Sequence, residues 1–119
     1  INIGSDLSVI APNQKIYKKM FKNYIKPASY SVIKHGLLGM TKYFASTYAQ
    51  HKINCNMISP GPIDKKIKNS FTKELKNIIP MKNLIPVSNV QKIVELLIKN
   101  DVKFITGQNI IVDGGRTII

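Results

Sequence analysis

The chain has 119 residues and a mass of 13.4 kDa, which leaves room for one domain. With 44% hydrophobic and 20% charged residues it is globular in composition, which excludes wholesale disorder, and its single cysteine, Cys55, excludes an intramolecular disulfide and a multi-cysteine zinc site. Eighteen Lys and Arg against six Asp and Glu give a formal charge of +12, but seventeen of those cations are lysines spread along an Ile- and Asn-rich chain. That is the pattern of AT-rich codon usage rather than of an arginine-based reader of bases and phosphates, so no nucleic-acid partner is expected.

Ile1 to Ile10 lacks a basic start and contains Asp6, unlike a signal peptide. No apolar run approaches the roughly 18 residues of a membrane span, so no membrane partner is expected and a cytoplasmic location is. The chain begins without Met, which points to sequence upstream of Ile1.

Ile1-Asn2-Ile3 reads as the end of a buried strand running into Gly4-Ser5. Residues 11 to 27, bracketed by Pro12 and Pro27, read as a loop. Ala28 to Gln50 is helical in pattern, with Ile33, Leu37, Met40 and Phe44 marking its expected core face. Gly36 and Gly39 each cost such a helix roughly 1 kcal/mol, so close packing against another backbone is expected there.

Lys52 to Ser59 reads as a second strand, stopped by Pro60-Gly61. Residues 62 to 86, with three prolines and many lysines, read as a mobile, exposed segment holding a short helix near Asn69 to Ile78. Ser88 to Gln91 has the form of a capping box, opening a helix whose core face is Ile93, Leu96 and Leu97 and which ends near Asn100-Asp101. Gln108 to Asp113 reads as a third strand, ended by Gly114-Gly115. Strands alternating with helices predict parallel strands joined by crossovers, an α/β fold.

In open α/β sheets ligands bind at the carboxyl ends of the strands. Ser5 and Pro60-Gly61 stand at two such ends. Tyr30 and Lys34, four apart at the start of the long helix, share one helix face. A phenol that works as acid or base near neutral pH needs its phenolate stabilised by roughly 4 kcal/mol, and a neighbouring ammonium pushes that way. A serine hydroxyl can orient the substrate oxygen for proton transfer. The spacing alone is weak, since Tyr48 and Lys52 repeat it, and Tyr30 also reads as an ordinary half-buried tyrosine. His35 reads as helix surface and, with His51 as its only fellow, makes no metal set. Cys55 reads as a small buried hydrophobe and Asp113 as turn chemistry.

Order makes the pattern specific. Serine at a strand end, then Tyr30-Ser-Val-Ile-Lys34, Asn56-Met-Ile-Ser-Pro60-Gly61, Thr106-Gly107-Gln108 and Val112-Asp113-Gly114-Gly115 resembles the short-chain dehydrogenase/reductase family of the classical type. The resemblance covers essentially the whole chain and corresponds to the second half of that fold. It implies that residues 1–119 are the carboxyl-terminal portion of a single NAD(P)-binding domain with a Rossmann-type, doubly wound parallel sheet. The implied activity is hydride transfer between NAD or NADP and a carbonyl or alcohol. By motif match Ser5 would orient the substrate oxygen and Tyr30 would be the general acid/base. Lys34 would favour the phenolate and hold the nicotinamide ribose. Pro60, Gly61 and Ile63 would line the nicotinamide pocket, with the Ile63 backbone on the carboxamide. Asp113 would close the last strand near a subunit interface, and a homo-oligomer, dimer or tetramer, is implied.

The chain departs from the family pattern in four ways. The glycine-rich phosphate-binding turn, the residue that chooses between NAD and NADP, and the upstream catalytic Asn are absent, so the isolated chain is expected to bind cofactor poorly and to be poorly stable. Ser5 and Tyr30 are separated by 24 residues, about twice the family's usual spacing. The extra stretch, Lys15 to Lys26 with Tyr17, Phe21 and Tyr24, is either a substrate-recognition insert or a surface loop. Lys65 stands where the family often has Thr, and Ser8 competes with Ser5. Ser5-Asp6-Leu7 and Ile10 to Gln14 look like a branch that builds bacterial surface sugars or flagellar glycans. A sugar or nucleotide sugar, a 3-oxoacyl-carrier-protein and a non-enzymatic remnant are the competing readings. A small, anionic substrate is expected.

Overall fold

A computed structural model describes residues 1–20, 22, 24–67, 69–99 and 102–119. Phe21 and the expected helix end at Asn100-Asp101 lie outside the described residues. Three parallel strands, β1 (Asn2–Ile3), β2 (Met57–Pro60) and β3 (Asn109–Val112), form one sheet in the order β1-β2-β3, with Asn2 opposite Met57 and Met57 opposite Asn109. Between β1 and β2 the chain runs through α1 (Gln14–Met20) and α2 (Ala28–Tyr48), and between β2 and β3 through α3 (Ser70–Asn77) and α4 (Val87–Ile98). This is the expected α/β, Rossmann-type arrangement. Parallel strands need cover on both faces, and in the central strand Met57, Ile58 and Ser59 are completely buried.

β1 is shorter and barer than its sequence suggests. Ile1 and Ile3 are half exposed, because β1 is an edge strand of the described sheet. β2 starts later than expected: Lys52 takes a left-handed conformation (φ 60°) that ends the helical turn Ala49–His51, and the strand begins only at Met57. Asn56 ties the approach to β3 instead, its amide donating to the Ile105 carbonyl at 2.7 Å and accepting from the Gln108 N–H at 3.0 Å. Cys55 is half-buried rather than buried.

Residues 11 to 27 are not a loop throughout. Asn13 accepts from the Lys15 N–H and starts α1, whose Ile16 is buried against Leu75, Ile79 and Leu84. The prolines mark the ends of this segment and say little about its middle, where one apolar side chain suffices to dock a helical turn. The same cluster corrects the reading of 62–86 as wholly exposed. The expected helix forms as α3, capped reciprocally by Asn69 and Thr72, and its Leu75 packs into the core with Ile79.

α2 runs as expected but turns a different face to the sheet. Thr41 and Ala45 are its buried residues, whereas Ile33 (61% exposed) and Met40 point away. The helix carries two stripes, and the one with small side chains lies against the sheet, where Asn2 of β1 donates to the Thr41 hydroxyl at 2.9 Å. Gly36 and Gly39 have no neighbour within 4 Å of a built Cβ, so nothing within the described chain packs closely on them. In α4 the expected capping box is absent. Pro86 is the N-cap, its carbonyl accepting from the Asn89 N–H at 3.0 Å, and Ser88 falls inside the first turn. Ile93 and Leu97 are half-buried, and Leu96 is exposed.

Candidate active site

Gly4 carries the chain from β1 into the site. Its N–H donates to the Ile58 carbonyl at 2.8 Å, and a Cβ there would lie 2.0 Å from the end of Met57 and 2.7 Å from the Ser59 hydroxyl. Only glycine fits so close to β2. Ser5 follows in an extended conformation and caps the 3₁₀ turn Asp6–Ser8, its Oγ accepting from the Leu7 N–H at 3.2 Å and donating to Asp6 Oδ1 at 2.9 Å. Ser8, the rival serine, is fully buried and its Oγ accepts from the Ser5 N–H at 3.1 Å. Ser8 thus closes the turn from within, while Ser5 stands at the strand end.

α2 opens behind Pro27, whose carbonyl accepts from the Tyr30 N–H at 3.1 Å. One turn later Lys34 Nζ donates to the Ile3 carbonyl at 3.0 Å and lies 5.9 Å from the centroid of the Tyr30 ring. That contact binds the first turns of α2 to the end of β1, and α2 also packs on the turn that Ser5 caps. The structure therefore brings Lys34, with Tyr30 one turn before it, to the end of β1 that leads into Ser5. It does not assemble the other Tyr-x-x-x-Lys pair: Tyr48 ends α2 and Lys52 lies beyond it in a left-handed turn.

Pro60 ends β2 at the same edge. The Gly61 N–H donates to the Val112 carbonyl at 2.9 Å, and a Cβ on Gly61 would meet the Asp113 backbone at 3.0 Å. Ile63 bridges Ile85 in parallel register, but the bridge uses the Pro62 carbonyl and the Asp64 N–H. Among the described residues the N–H and C=O of Ile63 itself remain unspent. Lys65 is exposed. Asp113 serves the turn after β3, as its sequence suggests, accepting from the Gly115 N–H at 2.9 Å and the Thr117 N–H at 2.7 Å while Gly114 and Gly115 take positive φ.

Three neighbours of this site were given no place in it by the sequence reading, which offered Tyr17 and Lys26 only as parts of an insert or a surface loop. Arg116, the only arginine, forms a buried ion pair with Asp6. A lone arginine in a lysine-rich chain is the signal that could have singled it out. Lys26 stands over the Tyr30 ring with Nζ 3.8 Å from the centroid. Tyr17 packs on Tyr24 and Phe71. Its phenol is pushed above the ordinary tyrosine range chiefly by burial, with the Arg116 charge opposing and Asp6 and Tyr30 adding to the rise.

A family model described as enoyl-(acyl carrier protein) reductase matches residues 13–117. Among solved structures, a short chain dehydrogenase from Leptospira borgpetersenii with bound NAD+ superposes with a TM-score of 0.84 at 30% identity, covering 98% of this chain and 43% of that one. The chain belongs to the short-chain dehydrogenase/reductase family. Curated relatives in that family include the 3-oxoacyl-acyl-carrier-protein reductase of Buchnera aphidicola, 42% identical over 73% of this chain and 37% of its own length. Glucose 1-dehydrogenase 2 of Bacillus subtilis is 36% identical over 97% of this chain and 44% of its own. The chain thus spans about two-fifths of the length of these family members.

Proposed function

We propose that residues 1–119 act as the carboxyl-terminal part of an NAD- or NADP-dependent oxidoreductase that reduces a carbonyl or oxidises the matching alcohol. The observation that carries this reading is the hydrogen bond from Lys34 to the Ile3 carbonyl, which brings the Tyr30–Lys34 pair to the strand end that bears Ser5. The residues present fit the nicotinamide end of a dinucleotide. Among the described residues Ile63, two positions after Gly61, keeps its N–H and C=O free for a carboxamide. Lys34 would hold the ribose hydroxyls. The bound cofactor supplies or takes up the hydride. Ser5 would orient the substrate oxygen, its hydroxyl proton turning to it from Asp6, and Tyr30 Oη would give or take the proton. In support, solved structures similar to this chain hold NAD+, NADH or NADP.

For the substrate, a sugar or nucleotide sugar is the leading reading, in line with the likeness to a glucose dehydrogenase along nearly the whole chain. A 3-oxoacyl-carrier-protein is the second, favoured by the likeness to the Buchnera reductase. We also propose a homo-oligomer joined through α2. Its outward face bears Val32, Met40 and Tyr43, all exposed, beside the open Gly36 and Gly39, where a second backbone can approach. No helix among the described residues is long and apolar enough to cross a membrane, and a cytoplasmic location is part of this reading.

The test is cofactor oxidation by the full-length protein. NADH and NADPH are each offered with a set of oxo sugars and a 3-oxoacyl thioester. Turnover that requires Tyr30 supports the reading, and the better substrate class chooses between its two forms. No oxidation with either cofactor across both classes refutes it.

A further inference from the structure

The stretch that lengthens the Ser5–Tyr30 interval is closed on itself. Gln14 binds the backbone of Lys26 from both sides, its amide donating to the Lys26 carbonyl at 3.1 Å and accepting from the Lys26 N–H at 3.0 Å. This two-bond clamp fixes the end of the stretch against the start of α1 and aims the Lys26 side chain back at the site. Lys26 Nζ then lies 3.8 Å from the Tyr30 ring centroid and 5.4 Å from that of Tyr17.

Among the described lysines only Lys26 and Lys34 are half-buried, and all the others are exposed. Both stand beside Tyr30. Their charges differ in use. Lys34 is engaged by the Ile3 carbonyl, whereas Lys26 has no carboxylate within ion-pair distance among the described residues. The two aromatic faces hold this half-buried ammonium in place by cation–π attraction and leave its charge available to an anion. Tyr17 belongs to the same wall, since the same Lys26 ammonium lies over its ring.

We propose that Gln14 and Lys26 form a substrate-recognition element of this chain and that Lys26 pairs with a carboxylate or phosphate on the substrate. The proposal rests on Tyr30 being the reacting side chain. Lys26 is the group that sets specificity, and Gln14 is a positioning residue that acts through it. The arrangement favours a carbonyl compound whose anionic group sits a short distance from the reacting carbon, within reach of both Lys26 and Tyr30.

Titration calorimetry on the full-length protein with two probe pairs tests this. Acetoacetate is compared with ethyl acetoacetate, and dihydroxyacetone phosphate with dihydroxyacetone. At least one anion should bind about tenfold or more tightly than its neutral counterpart, the size of one charge-assisted contact, and the responding pair tells carboxylate from phosphate. Lys26→Met should abolish that preference and Lys26→Arg should keep most of it. Gln14→Leu, which removes the clamp and leaves the ammonium, should weaken it in part. An anion preference that survives Lys26→Met, or no preference for either anion, overturns the proposal. Cofactor oxidation is measured separately. Carbonyl reduction with binding indifferent to Lys26 sinks this inference alone. Lys26-dependent anion binding without any cofactor oxidation sinks the oxidoreductase reading alone.

Discussion

Asp6 ties Arg116 to Ser5: its carboxylate pairs with Arg116, accepts from the Ser5 hydroxyl at 2.9 Å and accepts from the Leu7 N–H at 2.8 Å. Both Asp6 and Arg116 are buried, so the pair joins the turn after β1 to the turn after β3 across the mouth of β2. Removing one partner of a buried pair leaves an uncompensated charge, which costs about 3–5 kcal/mol. Arg116→Met should therefore lower the stability of the full-length protein by that order in urea titration. Asp6→Leu combined with Arg116→Met should cost clearly less than Arg116→Met alone. Equal losses would mean that the pair contributes packing and no charge compensation.

Tyr30→Phe deletes one hydroxyl and almost no volume. Loss of a general acid/base typically costs about 100- to 10,000-fold in rate, so turnover by the full-length protein should fall by that range while cofactor binding, followed by calorimetry, stays near the wild-type value. Tyr48→Phe is the matched control. Tyr48 ends α2 away from the strand ends, and its substitution should change turnover by less than about twofold. Retention of more than a tenth of the activity by Tyr30→Phe would remove it from the acid/base role.

The parts of this site legible in the sequence are the local ones. The Tyr30–Lys34 spacing, the glycine after β1 and the Pro60-Gly61 stop each lie within a few residues, where helix period and backbone freedom decide the geometry. The parallel direction of the strands followed from the alternation of elements. The Asp6–Arg116 pair was not legible because its partners are 110 residues apart and meet only when all three strands align. The sheet-facing side of α2 was misread because hydrophobic spacing counts apolar residues, whereas the sheet takes the small Thr41 and Ala45. At α4 the fixed φ of Pro86 started the helix before Ser88 could cap it. In α1 one buried isoleucine outweighed two prolines.

Two glycines that look alike in the sequence should respond in opposite ways. Gly61→Ala would press a Cβ to 3.0 Å from the Asp113 backbone, which has little room to shift, and should cost about 1–3 kcal/mol in thermal or urea unfolding. Gly39→Ala meets open space and should gain up to about 1 kcal/mol of helix propensity in an isolated subunit. If a second subunit packs on that face of α2, Gly39→Leu should push it away and lower the assembly state seen in analytical ultracentrifugation. A Gly39→Leu protein that assembles like the wild type would exclude this face from the interface.

The segment after Pro60-Gly61, residues 62 to 86, was expected to be mobile and exposed, and the structure divides it. Closure over a ligand needs low local stability. That condition suits 64–67 and the first turn of α3, which are mostly exposed, and it does not suit the stretch from Leu75 onward, where Leu75, Ile79 and Leu84 pack with Ile16. An eight-residue helix is too short to persist alone, so α3 depends on that cluster. Hydrogen exchange on the full-length protein should show amides of 75–85 already protected without ligand, by about tenfold or more over those of 64–67 and 69–73. Adding NAD+ or NADP+ together with substrate should slow exchange in 64–67 and 69–73 and leave 79–85 nearly unchanged. Protection that rises evenly from 64 to 85 would mean that the whole segment closes as one unit. No change anywhere in it would rule out a lid.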